Sequence, residues 1–225
     1  MIGDSTMANK NLEGGNPERG WGQLLPEFFQ AGVKVENHAK DGRSSRSFFD
    51  EGLWAPVVSD LKAGDWVIIQ FGHNDQKKDK PLLYTDPDTD YRAFLTKYVK
   101  ESQAKGAHPI LVTSIYRRFF TPEGKPKPSL QRYPEVTRKM AAELGVPLVD
   151  LNEMSRQLLE SLGPEKSKSL FLFFAPGEIP FYPNGKSDNT HLCENGAKTI
   201  SALFTEDLKN RKIELARWLK SPPPK

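Results

Sequence analysis

The chain contains a single cysteine, Cys193, so no disulfide can form within it. A lone thiol fits a reducing compartment, although a secreted bacterial protein also often lacks disulfides. Long apolar runs are missing as well. The longest greasy stretch, Leu170 to Ala175, falls far short of the roughly 20 residues needed to span a bilayer, and no membrane partner is expected. Charge of one sign is not in excess: 32 basic and 29 acidic residues leave a net +3. The basic clusters Lys77-Lys78, Lys125 to Lys127, Lys166 to Lys168 and Arg211-Lys212 are short and interrupted by acids or prolines. They read as solvated loops, not as a nucleic-acid-binding face.

What is present is a globular composition, 27% charged and 37% hydrophobic, in 225 residues. That is enough for one α/β domain with a sizeable core. The chain shows no internal repeat and no linker. A single domain over residues 1–220 is expected, with 221–225, which includes Pro222-Pro223-Pro224, as a disordered tail. No signal peptide is evident. Met1-Ile2 reads as the end of a strand whose beginning lies outside the sequence, so a truncated first strand is expected. An extracellular or periplasmic location is expected for the full-length form, with the cytoplasm as the alternative.

Short apolar runs alternate with helical periods, the pattern of βαβ units and a parallel sheet. Strands are predicted at Val33 to Asn37, Asp65 to Phe71, His108 to Ser114 and Pro147 to Asp150. The second and third are near-continuously apolar, as strands buried on both faces are. Helical stripes run through Tyr91, Phe94, Leu95, Tyr98 and Val99; through Val136, Met140 and Leu144; through Leu151, Met154, Leu158 and Leu162; and through Ala197, Ile200, Phe204 and Leu208. An early helix holds Trp21, Leu24, Leu25 and Phe28, started or bent by Pro26. Long loops are predicted from Gly72 to Asp88, Ile115 to Leu130 and Gly163 to Asn189.

Four short blocks sit at strand ends or before the last helix. Gly3-Asp4-Ser5 follows the strand stub, where a glycine allows a sharp turn that presents a hydroxyl. Gly42 follows the second strand, where a backbone N–H can approach a ligand. Asn74, in Gly72-His73-Asn74-Asp75, follows the clearest strand and can aim amide hydrogens inward. Asp188-Asn189-Thr190-His191 places a carboxylate three residues before a histidine, close enough to fix its tautomer. Each block alone also has an ordinary reading as a turn, a loop glycine, a structural histidine or a helix cap. Their conjunction, in this order, supplies the nucleophile, base, acid and oxyanion donors of a serine esterase.

That conjunction resembles the SGNH (GDSL-like) hydrolase superfamily, over residues 1 to about 208. Gly3-Asp4-Ser5-Thr6-Met7-Ala8, Gly20-Trp21-Gly22, Gly42-Arg43-Ser44-Ser45-Arg46-Ser47-Phe48 and Phe71-Gly72-His73-Asn74-Asp75 look like its rhamnogalacturonan acetylesterase branch. The resemblance implies a three-layer α/β/α flavodoxin-like fold, a parallel sheet of order 2-1-3-4-5, and neither metal nor cofactor. It implies Ser5 as nucleophile, His191 as base, Asp188 as its orienting acid, and Ser5, Gly42 and Asn74 as the oxyanion hole. The expected substrate is an acetylated plant polysaccharide or oligosaccharide, deacetylated through an acetyl-enzyme.

Trp54, Phe181 and Tyr182 are expected in loops near the site, where aromatic faces suit sugar rings, and His73 is a further candidate for substrate contact. Arg43, Arg46 and Lys186 are candidates for galacturonate carboxylates. Cys193 reads as a small buried hydrophobe, not as a nucleophile. Three rival readings keep the fold: an acetylxylan esterase, a lipase-like or broad short-chain carboxylesterase or thioesterase, and a carbohydrate-binding protein without turnover. The oligomeric state is not legible.

Overall fold

The apolar runs at 65–71 and 108–114 form the middle of a parallel sheet, as their near-continuous hydrophobicity requires. The computed structural model describes residues 1–221, so the predicted tail from Pro222 onward lies outside the described residues. The strands in chain order are β1 (Ile2–Gly3), β2 (Glu18–Arg19), β3 (Trp66–Gln70), β4 (His108–Val112), β5 (Leu148–Val149), β6 (Phe171–Phe174) and β7 (Lys186–Cys193). The helices are α1 (Trp21–Leu24), α2 (Ser45–Asp50), α3 (Trp54–Asp60), α4 (Asp90–Ala104), α5 (Tyr133–Leu144), α6 (Leu151–Lys166) and α7 (Glu194–Asn210).

One sheet has the order β1-β3-β4-β5 and is parallel throughout, with Ile2 beside Ile69, Ile68 beside Ile110 and Leu111 beside Leu148. Alternate residues face opposite sides, and each side has its own core. Val67, Ile69 and Leu111 pack with Tyr91, Leu95 and Tyr98 of α4 and with Val136 and Met140 of α5. Ile68, Ile110 and Val112 pack with Trp21 of α1, Leu159 of α6, and Ile200, Phe204 and Leu208 of α7. The fold is thus the expected three-layer α/β/α arrangement. The α5 helix stops at Gly145, which takes the left-handed conformation (φ 64°) that favours glycine.

Three predictions about where segments and side chains lie in the fold need correction. Val33 to Asn37 is not a strand. The chain there is extended and passes beside β1, with His38 N–H donating to the Met1 carbonyl (2.9 Å) and Lys40 N–H to the Gly3 carbonyl (3.0 Å). A two-residue β1 offers too few partners for a full ladder. The outer position of the 2-1-3-4-5 order is therefore filled by extended chain.

The second correction concerns the stretch predicted as a loop from Gly163 to Asn189, which is largely structured. A 3₁₀ turn (Ser167–Leu170) leads into β6, and β7 returns antiparallel to it. With β2 these strands make a second sheet of order β2-β7-β6. The unbroken polar run from Lys186 to His191 hides this strand from a search for apolar runs.

The third correction is Trp54, which lies in no loop. It opens α3, is 1% exposed, and donates from Nε1 to Glu101 Oε2 at 2.6 Å. Packed edge-on against Tyr98, it has no free face for a sugar ring.

Candidate active site

The turn after β1 is shaped by what surrounds it. A Cβ on Gly3 would stand 2.7 Å from the Gln70 carbonyl oxygen, so the chain can leave the sheet here only as glycine. Asp4 is fully buried and closes the turn. Its carboxylate accepts from the Thr6 N–H (2.9 Å) and hydroxyl (2.8 Å), and its carbonyl accepts from the N–H groups of Met7 and Ala8 (3.1 Å each). Ser5 sits at the apex, half-buried.

The turn is braced from below. Trp21 donates from its backbone N–H to the Thr6 carbonyl (2.9 Å) and from Nε1 to Gln70 Oε1 (2.9 Å), and Gln70 Nε2 donates to the Thr6 hydroxyl (2.8 Å). Gly20 and Gly22 let this segment approach closely. A Cβ would stand 2.2 Å from the Ala8 carbonyl at the first and 2.7 Å from the Met7 carbonyl at the second. The Gly20-Trp21-Gly22 motif therefore has a mechanical role that its residue types did not disclose in the sequence.

His191 arrives from β7. One step along β6, from Phe171 to Leu172, spans the partners Leu192 to Asp188 on β7, which is a bulge. Bulges beside functional sites re-aim side chains. This one folds residues 189–191 around the Asp188 carboxylate, whose Oδ1 accepts from the N–H groups of Thr190 (2.8 Å) and His191 (3.0 Å). Asp188 Oδ2 lies 2.9 Å from His191 Nδ1, and His191 Nε2 lies 3.0 Å from Ser5 Oγ. Residues 186 positions apart thus form a continuous serine–histidine–aspartate chain.

Burial works to raise the Asp188 carboxyl, but the side-chain and backbone hydrogen bonds of His191 outweigh it and hold the carboxyl well below its ordinary value. Burial works to lower His191, but the hydrogen bond and charge of Asp188 outweigh it and hold the ring above its ordinary value.

Asn74 is nearly buried, and its orientation is fixed at both ends of the amide. Oδ1 accepts from Lys77 Nζ (2.6 Å), and Nδ2 donates to the Arg43 carbonyl (2.9 Å), leaving its second N–H without a protein partner. That bond ties the Asn74 loop to the turn at Gly42, where φ is +77° and a side chain would be strained. The neighbouring Asp75 anchors the loop. Its Oδ1 accepts from the Ser45 N–H and hydroxyl and from the Thr85 hydroxyl, while Oδ2 is buried without a partner. Burial pushes its pKa up to about 6.

His73 requires correction as a substrate-contact candidate. It is 2% exposed, with Nδ1 3.1 Å from Asp4 Oδ2 and Nε2 3.1 Å from the Ile115 carbonyl. Both ring nitrogens face acceptors, and burial lowers the pKa of His73 against the charge and hydrogen bond of Asp4. Burial works to raise Asp4, and the charge and hydrogen bond of His73 outweigh it.

Phe181 and Tyr182 lie on the connection from β6 to β7, their rings edge-to-face at 4.9 Å, with Phe181 37% exposed. The suggested uronate-binding cations are already partnered: Arg43 with Glu51 (2.8 Å), Arg46 with Asp90 (2.6 Å) and Lys186 with Asp188 (3.8 Å). Cys193 is half-buried rather than buried, and its thiol donates to the Ser169 carbonyl. Among the described residues, no three His, Cys, Asp or Glu side chains gather as a metal-binding set.

The chain is 40% identical to rhamnogalacturonan acetylesterase RhgT of Bacillus subtilis, covering 98% of this chain and 93% of that protein. It is 32% identical to the probable rhamnogalacturonan acetylesterase YesY of the same organism, covering 96% and 94%. The crystal structure of protein YxiM from Bacillus subtilis superposes with a TM-score of 0.80 at 28% identity, covering 94% of this chain and 56% of that one. The model of the GDSL-like Lipase/Acylhydrolase family matches residues 1–196, and the chain belongs to that family.

Proposed function

We propose that this protein is a carbohydrate acetylesterase that removes O-acetyl groups from a rhamnogalacturonan-type polysaccharide. The observation that carries the reading is the Ser5–His191–Asp188 chain, with contacts of 3.0 and 2.9 Å at the carboxyl edge of the parallel sheet. The extensive similarity to RhgT supports the acetylated pectic substrate.

In this reading His191 Nε2 takes the Ser5 proton as Oγ bonds to the acetyl carbon. The carbonyl oxygen becomes an oxyanion, met by the free N–H of Asn74 and by the backbone N–H groups of Ser5 and Gly42. The bond to the sugar oxygen then breaks, and that oxygen leaves with the proton from His191. Water repeats the sequence on the acetyl-Ser5 ester and releases acetate. Asp188 holds the ring in the tautomer that presents Nε2 to Ser5 and stabilises the imidazolium as it forms. Phe181 and Tyr182, beside the strand that carries His191, would contact sugar rings.

The test is acetate release from a panel of acetylated pectins and xylans, beside a comparison of acetyl with octanoyl esters. Release from acetylated rhamnogalacturonan and weak octanoyl hydrolysis are expected. A strong octanoyl preference would sink the acetylesterase reading.

A further inference from the structure

Most cations around the site are neutralised. Lys10 pairs with Glu18 and Asp41, Arg43 with Glu51, Arg46 with Asp90, and Lys186 with Asp188. Arg117 and Lys77 differ: among the described residues neither forms an ion pair, and both are half-buried. Both converge on the loop that carries Asn74. Lys77 Nζ sits on Asn74 Oδ1 at 2.6 Å, and Arg117 Nη2 reaches the carbonyl of the preceding residue, His73, at 3.3 Å. Arg117 is also tied to the opposite wall, because the N–H of the next residue, Arg118, donates to the Asn189 carbonyl (2.8 Å), between Asp188 and His191.

The two cations are thus held between the loop that carries Asn74 and the strand that carries His191, with no carboxylate in direct contact among the described residues. Burial lowers the pKa of both, and for Lys77 the charges of Lys80 and Arg117 lower it further; the more distant carboxylates of Asp4 and Asp188 on Arg117, and of Asp4 and Asp79 on Lys77, pull the other way without offsetting burial. Like charges fixed together in a half-dry position are costly unless an anion joins them. Arg117 makes one long hydrogen bond, which leaves most of its planar donor fork for a carboxylate.

We infer that Arg117, assisted by Lys77, binds a carboxylate of the substrate beside the acetyl ester, so that the enzyme selects acetylated polymers bearing free uronate groups. The inference rests on the polysaccharide acetylesterase reading and specifies which residues recognise the charge. They are not the three arginines and lysines singled out by sequence, whose charges are already met.

The experiment compares acetylated pectic oligosaccharides carrying free carboxylates with the same oligosaccharides after methyl esterification, with p-nitrophenyl acetate as a neutral control. The wild type is expected to favour the free-carboxylate form by about tenfold or more in kcat/KM, the size of a lost charge-assisted contact. The difference should lie mainly in KM and shrink as salt rises. Arg117→Met should abolish the preference, and Arg117→Lys should keep part of it. Equal wild-type kcat/KM on the two forms would overturn the inference even if the Met variant failed to fold, and so would a preference unchanged in Arg117→Met. Turnover of p-nitrophenyl acetate without acetate release from either oligosaccharide form would instead overturn the polysaccharide reading beneath it.

Discussion

His191 is pulled in two directions, by burial toward the neutral ring and by Asp188 toward the charged one, and Asp188 prevails. The sign of the consequence follows. A base must be neutral to accept the Ser5 proton, so kcat/KM should rise with pH through a midpoint above the ordinary histidine value of 6.5. Asp188→Asn removes the cause and should bring that midpoint down, while lowering kcat by roughly 10⁴-fold through the wrong tautomer. A pH–rate profile of the two proteins checks both, and an unmoved midpoint would contradict the assignment. Asn74 offers a second test at this scale. Its amide is clamped by Lys77 and Arg43 with one hydrogen to spare, so Asn74→Ala should cost about 100- to 1,000-fold in kcat, the value of one oxyanion donor. A fall seen only in KM would place Asn74 in substrate binding instead.

Whole segments hold these side chains in place. The Ser5 turn hangs from a two-residue strand, and much of its support comes from Trp21, Gln70 and the close approach of Gly20 and Gly22. Gly20→Ala would drive a methyl group into the Ala8 carbonyl at 2.2 Å, forcing the backbone to move. We expect a loss of about 1–3 kcal/mol, as for other overpacked sites, in denaturant unfolding, with a parallel loss of p-nitrophenyl acetate turnover. The Asn74 loop carries a different signature. Asp75, raised from 3.8 to about 6 by burial, binds its proton more tightly folded than unfolded. Stability from this group therefore falls as pH rises from about 4 to about 6 and is level above. Unfolding midpoints across that range should show the decline in the wild type and lose it in Asp75→Asn.

Legibility followed the same division. Ser5, Asp188 and His191 could be proposed because their local blocks, each ordinary alone, occur together in one order, and the central strands and four long helices could be read because their apolar periods are strong. The β7 bulge could not, since its polar residues have no period to read and its register is set by partners 16 to 21 positions upstream, Phe171 beside Leu192 and Leu172 beside Asp188. Trp54 was misplaced because a single aromatic in a short segment looks the same in sequence whether it caps a core or faces a ligand. Arg117 was passed over because pairing, which separates it from Arg43 and Arg46, exists only in three dimensions.

Across the whole molecule, one parallel sheet with a core on each face places three separate turns at its carboxyl edge, and a small antiparallel sheet brings in the histidine. Ends of parallel strands are where α/β folds gather ligands. The net charge of +3 is too small to draw an acidic polymer from a distance, so discrimination falls to local contacts such as Arg117. All of this depends on Ser5 being the atom that takes the acetyl group. The most direct measurement is p-nitrophenyl acetate hydrolysis by the wild type beside Ser5→Ala, with folding of both checked by circular dichroism. The account predicts that the folded variant loses at least about 10⁴-fold in kcat, as when a serine nucleophile is removed. Equal rates for the two folded proteins would contradict it.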